Sequence, residues 1–218
     1  MTFQELSQNE TIRTYIQRAD ESLVALGFTE HSFSHVTHVA TMAGKILETL
    51  GYDEHTVELA KIAGYLHDIG NLVNRVEHSQ SGAVMAFSIL HDMGAPVEDI
   101  ATIVTAIGNH DEGTGVPVNA VAAALILADK ADVRRSRVRN RDISKFDIHD
   151  RVNYSVTDSK LTIGESLDTV TLELTVDPAF SSVMDYFEIF LHRMTFCRKA
   201  ADKLGMGFKL TINGQQLI

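Results

Sequence analysis

LHDIG, residues 66–70, is the stretch of sequence that decides the fold. It closes a run in which apolar residues recur every three or four positions, and Gly70 marks the end of that predicted helix. His67 and Asp68 are neighbours, so on a helix they point about 100° apart and converge on one ion only near the helix end or over a cleft. A carboxylate has two oxygens and can bridge two cations, which an imidazole cannot do. The stretch therefore predicts a helical protein with a cation site at this helix end.

The same spacing predicts helices on both sides of LHDIG, as far as about residue 135. They run from about Thr11 to Leu26, from Ser32 to Gly51, from Asp53 to Gly70, from His78 to Met93, from Pro96 through Ile107, and from Asn119 to about Val133. DEGTGVP, residues 111–117, has the composition of a loop. The first part of the chain is thus expected to be all-helical.

Beyond Arg141 the apolar residues alternate with polar ones, at 152–156 and again at 170–176. This two-residue period is typical of half-buried strands. A long amphipathic helix is predicted after Pro178, and FKLTI, residues 208–212, predicts a third strand. The expected fold class is mainly α, with an all-helical body followed by a small α+β tail.

We place the boundary after residue 145, which gives a helical metal-binding domain, 1–145, and a C-terminal α+β subdomain, 146–218. Two hypotheses follow for the tail. Its edge strands could pair with a second copy to form a homodimer, or it could fold over the cleft and restrict the substrate.

The composition limits the class of protein. With 218 residues, 44% hydrophobic and 22% charged, the chain suits one or two folded domains. A net charge of −10 argues against a stable nucleic-acid partner held by charge alone. The single cysteine, Cys197, excludes an intrachain disulfide and fits a reducing, cytoplasmic setting. No stretch has the length and apolar character of a signal peptide or membrane span, so no membrane association is expected.

Six side chains stand in an order that could close round a metal. They are His35, His67, Asp68, His78, His110 and Asp129. Imidazoles and carboxylates without cysteine favour Mn²⁺, Fe²⁺, Co²⁺, Ni²⁺, Mg²⁺ or a catalytic Zn²⁺, and disfavour a closed structural zinc site. His38, one turn from His35, is an alternative to it. The remaining histidines are interpreted as packed or surface side chains; these are His31, His55, His91, His149 and His192.

The motifs resemble the ordered H…HD…D pattern of the HD superfamily of metal-dependent phosphohydrolases. The resemblance is carried by His35 in HVTHVA, His67-Asp68 in LHDIG and Asp129 in ILADKAD, and it covers about residues 30–135. It implies an all-α fold in which these four residues hold a metal. His78 and His110 resemble the further ligands of members with two metals, with Asp68 bridging.

Part of the sequence also resembles the HD-GYP branch, which degrades cyclic di-guanylate. GTGVP, residues 113–117, is similar to its G-x-G-Y-P loop, and Asn109-His110 stands where that branch usually has two histidines. However, Asn71 replaces a usual lysine, and the segment from His110 to Gly113 is short. A cyclic-dinucleotide phosphodiesterase is therefore the lesser alternative.

The segment from Lys130 to Lys145 holds seven basic and two acidic residues and begins directly after Asp129. Arg135 and Arg139 are candidates for binding a substrate phosphate through the guanidinium fork. The chain is therefore expected to hydrolyse a small phosphoester, above all a nucleotide or a related phosphomonoester or phosphodiester. One or two divalent ions would activate the water, with His67 and Asp68 as the catalytic pair. The alternative is a regulatory or ligand-binding protein of the same fold with little or no turnover.

Overall fold

The computed structural model describes all 218 residues and has nine α-helices and, in its last third, a four-stranded sheet. The helices are α1 (Phe3–Ser7), α2 (Glu10–Ala25), α3 (Phe33–Thr49), α4 (Glu54–Leu66), α5 (His78–Asp92), α6 (Val97–Gly108), α7 (Ala120–Ala131), α8 (Ile148–Ser155) and α9 (Val183–Lys203). The strands are β1 (Val156–Ile163), β2 (Thr169–Val176), β3 (Gly207–Ile212) and β4 (Gln215–Gln216). The predicted fold class, a mainly α body with a small α+β tail, is confirmed.

Side chains at the helix starts explain why the helices begin where they do. Asp53 accepts a hydrogen bond from the backbone N–H of Thr56 at 2.9 Å, and Asn119 accepts one from Ala122 at 2.7 Å. Each cap satisfies a backbone donor that has no partner inside the helix. Just after the C-terminal end of α3, Gly51 adopts φ 80°, a left-handed conformation that glycine reaches without strain. These local signals fix the helix lengths, and with them the positions of the helix ends.

Helix α7 is the centre of the body. Every residue from Val121 to Ala131 is buried, and α3, α4, α6 and α9 pack around it. A helix that is apolar on all sides must be enclosed by other elements. Asp129 lies in its last turn, so this carboxylate is placed deep in the molecule.

The sheet has the order β1-β2-β3-β4. Strands β1 and β2 are antiparallel, with Leu161 opposite Leu172, whereas β2 and β3 are parallel, with Leu172 opposite Leu210. A parallel pair needs a long crossover connection, and α9 supplies it. The crossover lies against both β3 and α7, so the tail is packed on the body.

The first predicted strand is wrong in position. Residues 148–155 form α8, and β1 begins only at Val156. Val152 and Val156 are four residues apart, a spacing that suits a helix as well as a strand. Asp147 favours the helix, because its side chain caps α8 by accepting a hydrogen bond from the N–H of Asp150 at 2.8 Å.

The division of the chain after residue 145 stays a prediction, as does the homodimer. Body and tail contribute to one apolar cluster, which includes Leu127 of α7 and Phe190 of α9. None of the helices combines the length and the apolar character that crossing a bilayer requires.

Candidate metal centre

The structure brings together all six side chains that the sequence singled out as ligands, and all six are buried. Each comes from a helix or a helix end: His35 from α3, His67 and Asp68 from the end of α4, His78 from the start of α5, His110 from just after α6, and Asp129 from the last turn of α7. Helix ends converge here because the helices pack around α7. The convergence expected for His67 and Asp68 at a helix end is what the fold provides.

Asp68 lies in the middle of the cluster and faces two pairs of histidines. Its Oδ2 is 3.5 Å from Nε2 of His35 and 3.2 Å from Nε2 of His67. Its Oδ1 is 3.6 Å from Nε2 of His78 and 4.0 Å from Nε2 of His110. The carboxylate therefore divides the cluster into two halves and belongs to both.

We call the two parts the first half and the second half. The first half comprises His35, His67, Asp129 and Oδ2 of Asp68; Oδ1 of Asp129 lies 3.4 Å from Nε2 of His35 and 3.7 Å from Nε2 of His67. The second half comprises His78, His110 and Oδ1 of Asp68, and its two Nε2 atoms are 3.1 Å apart. Ligand atoms lie within 4.8 Å of one another in two sets: His35, His67 and Asp129 belong to the first half, and His67, Asp68 and His110 connect the two halves.

Hydrogen bonds on the far side of each ring aim its Nε2 at the centre. His67, His78 and His110 each have Nδ1 on the backbone carbonyl three residues earlier, at 2.8, 3.1 and 2.7 Å. A carbonyl only accepts, so Nδ1 carries the proton and Nε2 keeps a lone pair. For His35 the acceptor is the Asp132 carboxylate, at 2.7 Å. Such outer hydrogen bonds typically orient histidines that ligate metals.

The residues fit a divalent cation. Nε2 of His35 and Nε2 of His67 are buried and have no hydrogen-bond partner, which is costly for a polar atom. In the second half the two Nε2 lone pairs of His78 and His110 face each other. A cation would satisfy these atoms, and imidazole nitrogens with carboxylate oxygens are ligands that Mn²⁺, Fe²⁺, Co²⁺, Ni²⁺ and Zn²⁺ accept.

The charges in the two halves differ. In the first half, burial and Arg137 lower the pKa of His35, but its contacts with Asp129, Asp132 and Asp68 outweigh them and raise that pKa to about 9. Burial raises the pKa of Asp129, yet Lys130 and His35 hold it well below its ordinary value. The first half is thus an anionic environment that attracts positive charge.

In the second half, burial is the main effect and lowers the pKa of both His78 and His110. Both rings are therefore favoured in the neutral form that can ligate a metal.

Two arginines of the arginine-rich segment contact the first half through Asp132. Arg134 Nε donates to Oδ1 of Asp132 at 2.8 Å, and NH1 of Arg137 donates to the backbone carbonyl of Asp132 at 2.7 Å. Asp132 in turn accepts from His35. These arginines hold the carboxylate that orients His35, a role that the sequence did not reveal.

A cavity of about 470 Å³ opens onto the centre and is lined mainly by polar side chains. Its cationic residues are Arg75, Lys130, Arg137 and Arg193. The structure does not bring Arg135 or Arg139 to this cavity, contrary to expectation.

The two arginines that do not line the cavity have other partners. The Arg135 guanidinium lies over the Tyr154 ring, with its Cζ at 4.5 Å, and its Nε donates to the Tyr154 carbonyl. Arg139 pairs with Asp20. Sequence alone could not tell which arginines of the run point inward.

Several residues of the cavity wall were missed. His31 lines the cavity, with its ring centroid 5.5 Å from that of His35, although it was interpreted as a packed or surface residue. Glu112 was assigned to a loop and nothing more, yet it pairs with Lys130 at 2.7 Å. Arg193 is a charged residue on the apolar side of α9. That break in the pattern was the one signal that could have found it.

The two asparagines at which the sequence departs from the HD-GYP pattern both have defined hydrogen-bond partners. Asn71, where a lysine was expected, donates from Nδ2 to Oδ1 of Asp68 at 2.9 Å and so fixes that carboxylate. Asn109 is bound to the backbone: its Nδ2 donates to Thr105, and its Oδ1 accepts from Val116. Asn109 therefore holds the loop after α6 in place.

Comparison with known proteins places this geometry in a family. The model of the HD domain family matches residues 32–152. An uncharacterized protein of Methanocaldococcus jannaschii is 27% identical over 173 residues, which cover 68% of this chain and 66% of that protein. Ribonuclease Y of Acetivibrio thermocellus is 26% identical over 153 residues, which cover 66% of this chain but only 28% of that protein.

Among solved structures, the crystal structure of a predicted HD superfamily hydrolase from an uncultured Thermotogales bacterium is 26% identical. The superposed residues cover 62% of this chain and 75% of the chain in that crystal structure, with a TM-score of 0.46. The family match includes all six candidate ligand positions, five before α7 and Asp129 within it. Since that match covers more than half of the residues, the chain belongs to the HD domain family.

Proposed function

We propose that this protein is a metal-dependent phosphohydrolase that hydrolyses a small phosphoester, a nucleotide or a related compound. The observation that carries the proposal is Asp68, a buried carboxylate whose two oxygens face two separate pairs of histidines. A shared carboxylate between two groups of nitrogen ligands suits a pair of cations, an arrangement used by many phosphatases and nucleases.

The proposed roles follow from the two halves. His35, His67 and Asp129 would hold one cation, His78 and His110 would hold a second, and Asp68 would contact both. A divalent cation, when bound, offsets the negative charge of the phosphoryl group and lowers the pKa of water.

The carboxylates of Asp68 and Asp129 would accept hydrogen bonds from the attacking water and orient it. Asn71 keeps Asp68 in place through the 2.9 Å bond to Oδ1. Arg75, whose NH1 lies 3.9 Å from that same oxygen, would offer positive charge to a phosphoryl group bound at the centre. In this scheme water is the nucleophile and no side chain forms a covalent intermediate.

The walls of the cavity support a small substrate. A volume of about 470 Å³ lies within the range of sites for small molecules. Residues of the tail, His149 of α8 and Phe190 of α9 among them, form one side of the cavity. This arrangement supports the hypothesis that the tail folds over the cleft and restricts the substrate.

Cleavage of RNA is a second candidate, favoured by the similarity to ribonuclease Y. The net charge of −10 argues against an extended RNA-binding surface. A substrate panel that includes short RNA oligomers separates the two candidates.

The test combines metal analysis with turnover. Purified protein is analysed for bound metals and then supplied with Mn²⁺, Co²⁺, Ni²⁺, Mg²⁺ or Zn²⁺ and a panel of nucleotides, generic phosphoesters and RNA oligomers. We expect hydrolysis of a small phosphoester that stops in chelator and returns with metal. Loss of turnover in Asp68→Asn, but not in the matched variant Asp202→Asn at an exposed position of α9, would tie it to the centre. Metal-loaded protein that hydrolyses no panel member would instead favour the regulatory alternative.

A further inference from the structure

Arg193 lies on the inner face of α9, which is otherwise apolar. Phe190 and Cys197, three and four residues away along the helix and so on the same face, are buried. This face packs against α7, the helix of Asp129. Arginine is among the residues that proteins rarely bury without partners. Its presence here sets α9 apart from a helix that only covers the core.

The guanidinium of Arg193 is only partly engaged by protein groups. Its NH2 donates to Oε1 of Glu112 at 3.3 Å, and its Cζ lies 4.3 Å from the centre of the Phe190 ring. Its Nε is buried without a hydrogen-bond partner. A guanidinium has five N–H donors, and a buried donor without an acceptor is costly. The side chain as a whole is 20% exposed and lines the cavity, so an oxygen of a bound ligand could accept from its terminal N–H groups, although not from the buried Nε.

Arg193 also ends a chain of ion pairs that starts at the metal centre. Oδ2 of Asp129 is 2.7 Å from Nζ of Lys130, which is 2.7 Å from Oε2 of Glu112, and Glu112 pairs in turn with Arg193. Two cations and two anions balance along this chain. On the proposed function, the charge of Asp129 is directed to a divalent cation. Lys130 and Arg193 then share one carboxylate, and positive charge is left over in the cavity wall.

We propose that Arg193 binds a phosphate oxygen of the substrate, so that the C-terminal helix completes the substrate site. The planar guanidinium matches a phosphate group in shape and can donate two parallel hydrogen bonds to it. Arg193 lies outside the matched residues 32–152, so this contact would be a contribution of the tail. The identity of the anion as phosphate rests on the proposed function.

A purely structural role is the rival explanation. In that case Arg193 acts only as a clamp that ties α9 to Glu112, and removing either partner has the same effect. If Arg193 binds substrate, the two removals differ. Glu112→Gln then leaves the guanidinium in place and takes away the carboxylate that competes with phosphate for it.

The experiment measures the binding of inorganic phosphate to the Mn²⁺-loaded full chain by isothermal titration calorimetry. Arg193→Gln should weaken phosphate binding roughly ten- to a hundredfold, the usual loss for a hydrogen bond to a charged group. A separate titration should show unchanged affinity for Mn²⁺, which also reports that the variant is folded. Arg193→Lys, which keeps the charge but not the fork, should give a smaller loss and replaces the glutamine variant if that one does not fold.

The matched control is Arg198→Gln, which removes the same charge from an exposed position of α9 and should leave phosphate binding unchanged. Glu112→Gln should bind phosphate as tightly as the wild type or more tightly. Wild-type phosphate affinity in Arg193→Gln, no phosphate binding by the wild type, or equal losses in Arg193→Gln and Glu112→Gln would each overturn the inference.

The design also separates this inference from the proposed function. Arg193-dependent phosphate binding without hydrolysis of any panel compound would remove the function and leave the contact. Hydrolysis by the wild type with an unchanged KM in Arg193→Gln would support the proposed function and rule out the contact between Arg193 and the substrate.

Discussion

The two halves of the centre share Asp68 but are built differently. In the first half three carboxylates surround His35, and one of them, Asp132, orients its ring. In the second half His78 and His110 are oriented by backbone carbonyls alone. Their only carboxylate is Asp68. Histidines oriented in similar ways thus lie in surroundings of unequal charge, and we expect the first half to bind a cation more tightly than the second.

The largest expected effect comes from removing what the halves share. Asp68→Asn takes the charge from both, so we expect turnover to fall by at least about a thousandfold and the bound metal to fall in both halves. Turnover on the best panel substrate and metal content by elemental analysis are the measurements. If Asp68→Asn kept both cations and its activity, Asp68 would have no bridging role.

Removing one histidine from each half tests their inequality directly. We expect His35→Ala to abolish tight Mn²⁺ binding. His78→Ala should lose the ion of the second half and keep the tightly bound ion of the first. Titration calorimetry gives the number of ions and their affinities for each variant. Equal losses in the two variants would show that the halves bind as one unit.

Asp132, the carboxylate that orients His35 from outside the cluster, offers a way to change the first half alone. Asp132→Asn keeps a hydrogen-bond acceptor for His35 but removes a charge, so we expect affinity in the first half to fall by about 10- to 100-fold. Affinity in the second half should not change. Asp158→Asn, at an exposed position of β1, is the control. A wild-type Mn²⁺ isotherm for Asp132→Asn would count against the electrostatic account.

The smallest effect concerns the backbone of the second half. Glu77, directly before His78, has φ 59°, a left-handed conformation that costs an L-residue about 1–2 kcal/mol. Its side chain makes no capping hydrogen bond. Glu77→Gly should therefore raise the free energy of unfolding by about 0.5–1 kcal/mol after the entropy cost of glycine. Urea denaturation measures this, and Glu77→Ala, which keeps the Cβ, should show no gain.

Much of the centre was predictable because it depends on order along the chain and on helix ends. His67 and Asp68 follow a clear apolar period and stop at a glycine, and the caps at Asp53 and Asn119 set the neighbouring helices. Where the helix signals were strong, the sequence located the ligands. Their role in binding metal stays a prediction.

The cavity wall was not predictable in the same way. Arg135 and Arg137 are two residues apart in one basic run, yet one stacks on Tyr154 and the other lines the cavity. The direction of each side chain depends on the short 3₁₀ turn at Arg135–Arg137 and on partners distant in sequence, such as Glu30. Residues 148–155 show the same limit, since their spacing suited both a helix and a strand.

The burial of α7 on all sides has a consequence for how the protein can be divided. One of its neighbours, α9, lies beyond residue 152, where the family match ends. A fragment cut at that residue would expose an apolar strip of α7 to water, and such strips promote aggregation. The C-terminal helix therefore covers an apolar side of the helix that carries Asp129, and the body depends on the tail for the burial of that side.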